Sequence, residues 1–176
     1  MEKIRNAITT IANFPKPGIQ FRDITSLLEC PEASRLTVEK LGHKCIDIDC
    51  NKIVAIEARG FIFGATLAQE LSVPLVLARK PGKLPRATLQ QQYKLEYGQD
   101  TLHIHRDSLQ EGDRVLIIDD LIATGGTALA VVKLVEQVGA QVTHACFVVA
   151  LPELGGVSRL QKAGVRVDYL LEYDSE

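Results

Sequence analysis

Apolar residues near the amino terminus recur at helical spacing. Ile4, Ile8 and Ile11 predict an amphipathic helix near residues 2–13. The stretch Phe14-Pro-Lys-Pro-Gly18 stops it, because proline cannot extend a helix and glycine opens a turn. A second helix is read over residues 32–45. Four unbroken apolar runs follow, at residues 53–56, 73–77, 115–118 and 146–150. Such runs suit strands covered on both faces, as in a parallel sheet. Helical patterns separate several of them: residues 60–71, and residues 128–138 with Val131, Leu134, Val135 and Val138 on one face. Residues 159–162 predict a short further helix and residues 165–173 a closing strand. This alternation predicts an α/β fold, a doubly wound and mainly parallel sheet flanked by helices, in one domain spanning residues 1–176.

One region breaks the rhythm. Residues 80–89 carry two prolines and a glycine without periodicity. Tyr93-Lys-Leu-Glu-Tyr97, a glycine-bearing turn and Thr101-Leu-His-Ile-His105 then predict a β-hairpin. A long polar loop leading into a hairpin between core strands is read as functional.

Composition narrows the choice. Twenty basic against 22 acidic residues give a net charge of −2, without the basic excess that a nucleic-acid surface needs. The chain opens without the apolar run of a signal peptide, and no stretch reaches membrane-spanning length. Cysteines at 30, 45, 50 and 146 form neither a CxxC nor a zinc pattern, so free thiols and a cytoplasmic location are expected.

The densest chemistry lies in Val115-Leu-Ile-Ile-Asp-Asp-Leu-Ile-Ala-Thr-Gly-Gly-Thr127. A buried strand ends at Asp119 and Asp120, and Ala123-Thr-Gly-Gly-Thr127 turns into a helix. Gly125 and Gly126 let backbone amides converge on an anion, the helix start adds free amides and a positive dipole end, and Thr124 and Thr127 add hydroxyls. Carboxylates repel phosphate, so the aspartates suit the vicinal hydroxyls of a sugar, with magnesium nearby. A monophosphate cradle beside a diol site describes a ribose 5-phosphate. A Walker loop and a dinucleotide fingerprint are both absent.

This segment resembles the phosphoribosyl-pyrophosphate (PRPP) signature of the type I phosphoribosyltransferases, pentosyl-transferring enzymes that displace pyrophosphate from the activated ribose with Mg2+ present. Three further segments resemble the adenine-using members, over most of the chain from Phe14 onward. The resemblance implies that residues 1–30 form a hood in which Phe21 stacks on adenine while the backbone of Gln20 and Arg22 reads its edge. It implies that Ala58, Arg59 and Gly60 of Glu57-Ala-Arg-Gly60 bind pyrophosphate, with a non-proline cis peptide at Glu57–Ala58. Arg79, Lys80 and Lys83 form a basic cluster suited to the same group.

Tyr93–Gly98 resembles the adenine enzymes' own motif. There Glu96 faces the imidazole ring of the purine, as a base or as a stabiliser of the protonated ring, and Tyr97 helps to close the site. The catalytic set implied is Glu96, Arg59 and Tyr97. PRPP and adenine would give AMP and pyrophosphate in a homodimeric, cytoplasmic enzyme of purine salvage, with neither nucleic acid nor membrane as partner. Another base (hypoxanthine, guanine, xanthine or orotate) and a non-catalytic PRPP-binding regulator are the alternatives. The chain departs from the adenine pattern at His103, where a glutamate is common, and at Pro152.

Overall fold

The structure, a computed structural model, describes residues 1–94 and 98–174. The apolar runs form a parallel sheet of five strands among the described residues, in the order β4-β3-β7-β8-β9. These are β3 (Lys52–Ile56), β4 (Leu75–Ala78), β7 (Arg114–Ile122), β8 (Gln141–Ala150) and β9 (Arg166–Glu172). The chain runs from β3 outward to β4, then returns to lay β7 on the other side of β3. The winding therefore reverses between β3 and β7, and ligands of open α/β sheets bind beyond the carboxyl ends of strands at such a point.

Side chains alternate across the strands and feed two cores, because a strand covered on both faces is apolar on both. Ile53, Leu116, Ile118, Cys146 and Val148 pack on one face with α3 (Pro31–Cys45) and α4 (Gly60–Glu70). Val54, Ile56, Val115, Ile117 and Phe147 pack on the other with α5 (Gly126–Glu136) and α6 (Gly156–Lys162). The four cysteines are free thiols, with Cys45 and Cys146 buried and 3.5 Å apart.

The amino terminus corrects the sequence reading. The helix α1 covers only Glu2–Asn6, and Thr9–Ala12 forms a strand, β1, antiparallel to β2 (Gln20–Asp23). The β-branched run Thr9-Thr10-Ile11 favours extended backbone, and a partner strand is at hand. Ile4 and Ile8 still reach the core, but Ile11 pairs with Phe21 and is 40% exposed. The connecting turn contains a cis Phe14–Pro15 bond and Gly18 at φ +87°. Asp23 then caps the short helix α2 (Ile24–Leu28), accepting a 2.9 Å hydrogen bond from the Thr25 amide.

The hairpin also differs from its reading. The strand β5 (Thr88–Lys94) begins inside the stretch read as loop and pairs with β6 (Gln99–His105). Leu102 and Ile104 are buried against α5, which explains why the pairing extends this far. Residues 95–97 lie outside the described residues. The hairpin is a separate two-stranded sheet, tied to the end of β4 by reciprocal backbone bonds between Arg79 and His103 of 2.8 and 2.7 Å. His103 is further held by a 3.1 Å contact between its Nδ1 and the Thr88 hydroxyl.

Ile4 and Ile24, both fully buried, share one apolar cluster with Leu41, Ile53 and Phe63. The amino-terminal segment expected to form the hood is therefore built on the main core. Ile4→Ala should lower the free energy of unfolding by about 2–5 kcal/mol in urea titrations. A single transition should persist, with no early loss of the hood.

Candidate active site

Two loops reach the point where the winding reverses. The first follows β7. That strand runs to Ile122, because Leu121 and Ile122 still pair with Val149 and Ala150. Asp119 and Asp120 therefore sit just inside the strand, which continues to Ile122 past the end that the sequence reading placed at them. Gly125 adopts φ +74° and starts α5, a conformation that strains any residue with a Cβ. Asp119, Ala123, Thr124, Gly125, Gly126 and Thr127 line one small cavity of about 130 Å³, the size of a phosphate group rather than of a whole ligand.

The loop around this cavity rests on a segment to which the sequence reading gave no role in the site. Gly155-Gly156 opens α6, and the Gly156 amide donates to the Ala123 carbonyl at 3.0 Å. A Cβ on Gly156 would lie 2.3 Å from that oxygen and 2.7 Å from the Gly125 nitrogen. The Gly-Gly pair in the sequence was the available signal, but only the fold shows which loop it supports.

The second loop follows β3. Its Glu57–Ala58 peptide is cis, as the resemblance implies, and Gly60 begins α4. Gly60 is pressed against the other loop: a Cβ there would lie 2.7 Å from Asp119 Oδ1 and 2.9 Å from the Ile118 carbonyl. Glu57, Ala58, Arg59, Lys80, Tyr93, Asp100, Asp119, Asp120 and Thr127 line an adjoining cavity of about 400 Å³. Asp119 and Thr127 belong to both cavities, so a phosphate-sized cradle opens into a larger polar chamber.

Three cations in or beside the chamber, Arg59, Arg79 and Lys80, are each met by a carboxylate. The Arg59 guanidinium donates through Nε to Asp120, whose side chain is only 6% exposed. Arg79 reaches both oxygens of Glu57 at 3.2 and 3.4 Å, and the Lys80 amide donates to Glu57 at 2.9 Å. The Lys80 ammonium lies 3.0 Å from Asp100. Lys83 is exposed, and its carbonyl accepts a 3.3 Å hydrogen bond from Arg79. Tyr93 and Asp100, facing each other across the hairpin, were not among the predicted site residues. The Tyr93 hydroxyl donates to Asp100 at 3.3 Å and also meets the Thr127 side chain, joining the hairpin to the phosphate loop.

The hood residues lie apart from these two cavities. Phe21 meets Phe14 edge-on, with ring centroids 5.1 Å apart. Arg22 lies over the Tyr173 ring at 4.5 Å and donates to the Thr10 hydroxyl and the Asp174 carbonyl. Gln20 pairs with Ala12 in the β1–β2 ladder. The connection to the site is electrostatic: Arg59 helps to hold the neighbouring Asp23 carboxyl below its usual range, after the hydrogen bonds from Thr25. Glu96 and Tyr97 fall outside the described residues.

Electrostatics single out Asp119. Burial of its carboxyl, followed by the charge of Asp120, pushes its pKa well above the usual carboxylate range. Burial alone would also raise Glu57, but the Lys80 amide and Arg79 outweigh it and hold that carboxyl low. A carboxyl whose pKa is raised in the folded state costs stability when ionised, and the cost disappears as pH falls through that raised value. Asp119→Asn, which can still accept from the Asp120 amide, should therefore raise the melting temperature at neutral pH by about 2–4 °C, the effect of roughly 1 kcal/mol in a chain of this size. The gain should shrink in scans at progressively lower pH, as Asp119 of the unsubstituted chain takes up its proton.

Comparison with known proteins places this geometry. The phosphoribosyl transferase domain family matches residues 30–168. An adenine phosphoribosyltransferase of Histophilus somni is 54% identical over 173 residues, covering 98% of this chain and 97% of its own. The crystal structure of the adenine phosphoribosyltransferase of Thermoanaerobacter pseudethanolicus superposes with a TM-score of 0.92 at 45% identity, covering 98% of this chain and 99% of that one. The Saccharomyces cerevisiae enzyme, complexed with adenine and an imino-altritol bisphosphate, superposes with a TM-score of 0.88 at 36% identity, covering 97% of each chain. The family match begins at residue 30, whereas these relatives align with 97–98% of this chain. The chain belongs to the phosphoribosyl transferase domain family and, within it, to the adenine phosphoribosyltransferases.

Proposed function

We propose that this chain transfers the 5-phosphoribosyl group of PRPP to adenine, releasing AMP and pyrophosphate in purine salvage. The observation that carries the reading is the pair of joined cavities at the reversal of winding, one a phosphate-sized cradle and the other a chamber with paired aspartates and cations. The 5-phosphate is held by the amides of Ala123–Thr127 and by the hydroxyls of Thr124 and Thr127. Asp119 and Asp120 accept hydrogen bonds from the ribose hydroxyls. Ala58, Arg59, Gly60, Arg79, Lys80 and Lys83 take the pyrophosphate, with Arg59 as a planar fork. Breaking the anomeric bond builds positive charge on the ribose and negative charge on the leaving group, so cations fixed beside the latter lower the barrier.

Adenine enters under the hood, with Phe21 against its face and the backbone of Gln20 and Arg22 at its edge. Glu96 accepts from the imidazole ring as the other ring nitrogen attacks, and Tyr97 helps to close the site. Holding both reactants in place converts a two-body encounter into a local one. The donor set fits Mg2+, a hard cation that takes oxygen ligands and is commonly bound through one or two carboxylates and substrate phosphates. Asp119 and Asp120 supply two such carboxylates, and no cluster of three or more metal-binding side chains exists among the described residues. When bound, chiefly through PRPP, the ion neutralises charge on the diphosphate. The reading includes one domain over residues 1–176, from the unbroken α/β alternation, a cytoplasmic location, from the free cysteines, and a homodimer, from the family resemblance.

A competition assay offering adenine, hypoxanthine, guanine and xanthine with PRPP tests the activity directly. AMP should form to the near exclusion of other nucleotides, and preferential turnover of an oxopurine would reject the adenine assignment. Asp119→Asn should weaken PRPP binding by roughly tenfold or more, since it removes a charged acceptor from the sugar. Unchanged PRPP affinity, read by calorimetry, would count against the diol role.

A further inference from the structure

The three cations Arg59, Arg79 and Lys80 are held in different ways. Arg59 is bound to Asp120, which is nearly inaccessible. Arg79 is bound twice to Glu57, which also fixes the Lys80 backbone. Both contacts join segments of the main sheet or its loops. The Lys80 ammonium alone reaches across to the hairpin, where it meets Asp100. Asp100 retains other donors, the Thr101 amide at 2.8 Å and the Tyr93 hydroxyl at 3.3 Å. Its carboxylate therefore keeps hydrogen bonds if the ammonium turns elsewhere. Lys80 is 56% exposed at its side chain and Asp100 20%, so the ion pair is wet and weak, as an exchangeable pair must be. Both line the chamber assigned above to pyrophosphate.

We infer that the Asp100 carboxylate competes with pyrophosphate for the Lys80 ammonium, and so sets how readily that product leaves. The inference rests on the reading of Lys80 as a pyrophosphate ligand. Asp100 is then a positioning residue: it acts on the leaving group only through Lys80. Two anions cannot share one ammonium without mutual repulsion, so each contact that forms weakens the other. The backbone of Lys80, held by Glu57, stays in place while its side chain exchanges partners.

The test is Asp100→Asn, which preserves the acceptor for the Thr101 amide and removes the charge. Inhibition by pyrophosphate against PRPP, and calorimetric titration with magnesium pyrophosphate, should both report binding tightened by roughly two- to five-fold, the range of an exposed ion pair. AMP binding should stay unchanged, which a general loosening of the hairpin would not allow. Asp100→Ala should shift pyrophosphate binding in the same direction, and Asp100→Glu should restore the weaker value. In a Lys80→Ala background the effect of Asp100→Asn should vanish. Pyrophosphate binding that is unchanged or weaker in Asp100→Asn, with AMP binding intact, overturns the inference. Lys80→Ala alone decides the underlying assignment: unchanged pyrophosphate affinity there removes Lys80 from the subsite, whatever Asp100 does.

Discussion

The parallel pairing of β3 with β7 is the constraint on which the rest depends. Their ladder closes with Ala55 opposite Ile118, and immediately beyond it the Gly60 backbone rests on Asp119 with no room for a side chain. That contact fixes how far apart the two ligand loops stand. An insertion in either strand would move one loop by a residue and turn its side chains to the opposite face of the sheet. The apolar residues of these strands, fully buried on alternate faces, make such a slip costly. The site thus inherits its dimensions from the core.

Charge balance follows from the same proximity. Bringing Asp119 beside Asp120 in a shielded position is unfavourable, as the raised Asp119 carboxyl records, and Arg59 relieves only part of the repulsion. Around them the cations are matched to carboxylates on three different segments. The chain, nearly neutral as a whole at −2, therefore carries a strongly charged but locally balanced interior chamber. Such an arrangement favours ligands that bring both negative phosphate and a cation. It explains how a protein with no basic excess can handle a highly anionic substrate.

Much of this was legible in the sequence, for physical reasons that differ by segment. The core strands announced themselves because burial on both faces demands continuous apolar runs. The strand, loop and helix around Asp119–Thr127 were readable because strand, acidic pair, glycines and helix follow one another in a single stretch. The amino-terminal helix was read too long because Ile4, Ile8 and Ile11 satisfy helical spacing, while the strand at Thr9–Ala12 is decided by its pairing with Gln20–Asp23, a non-local contact. Gly156 and Asp100 went unnoticed for the same reason. Their partners, Ala123 and Lys80, are distant in sequence, and no local pattern marks them. The hood was inferred through resemblance alone, since Phe21 and Arg22 show no chemistry of their own in the sequence and neither lines the two cavities.

The support that Gly156 gives to Ala123 also has a temporal side. The cradle residues are complete once Thr127 has been added, but the turn that backs them comes later, after β8 has been laid down. On a ribosome, therefore, the loop after β7 emerges well before the turn that backs it. The hydrogen bond from Gly156 to Ala123 cannot form until both segments are free of the exit tunnel.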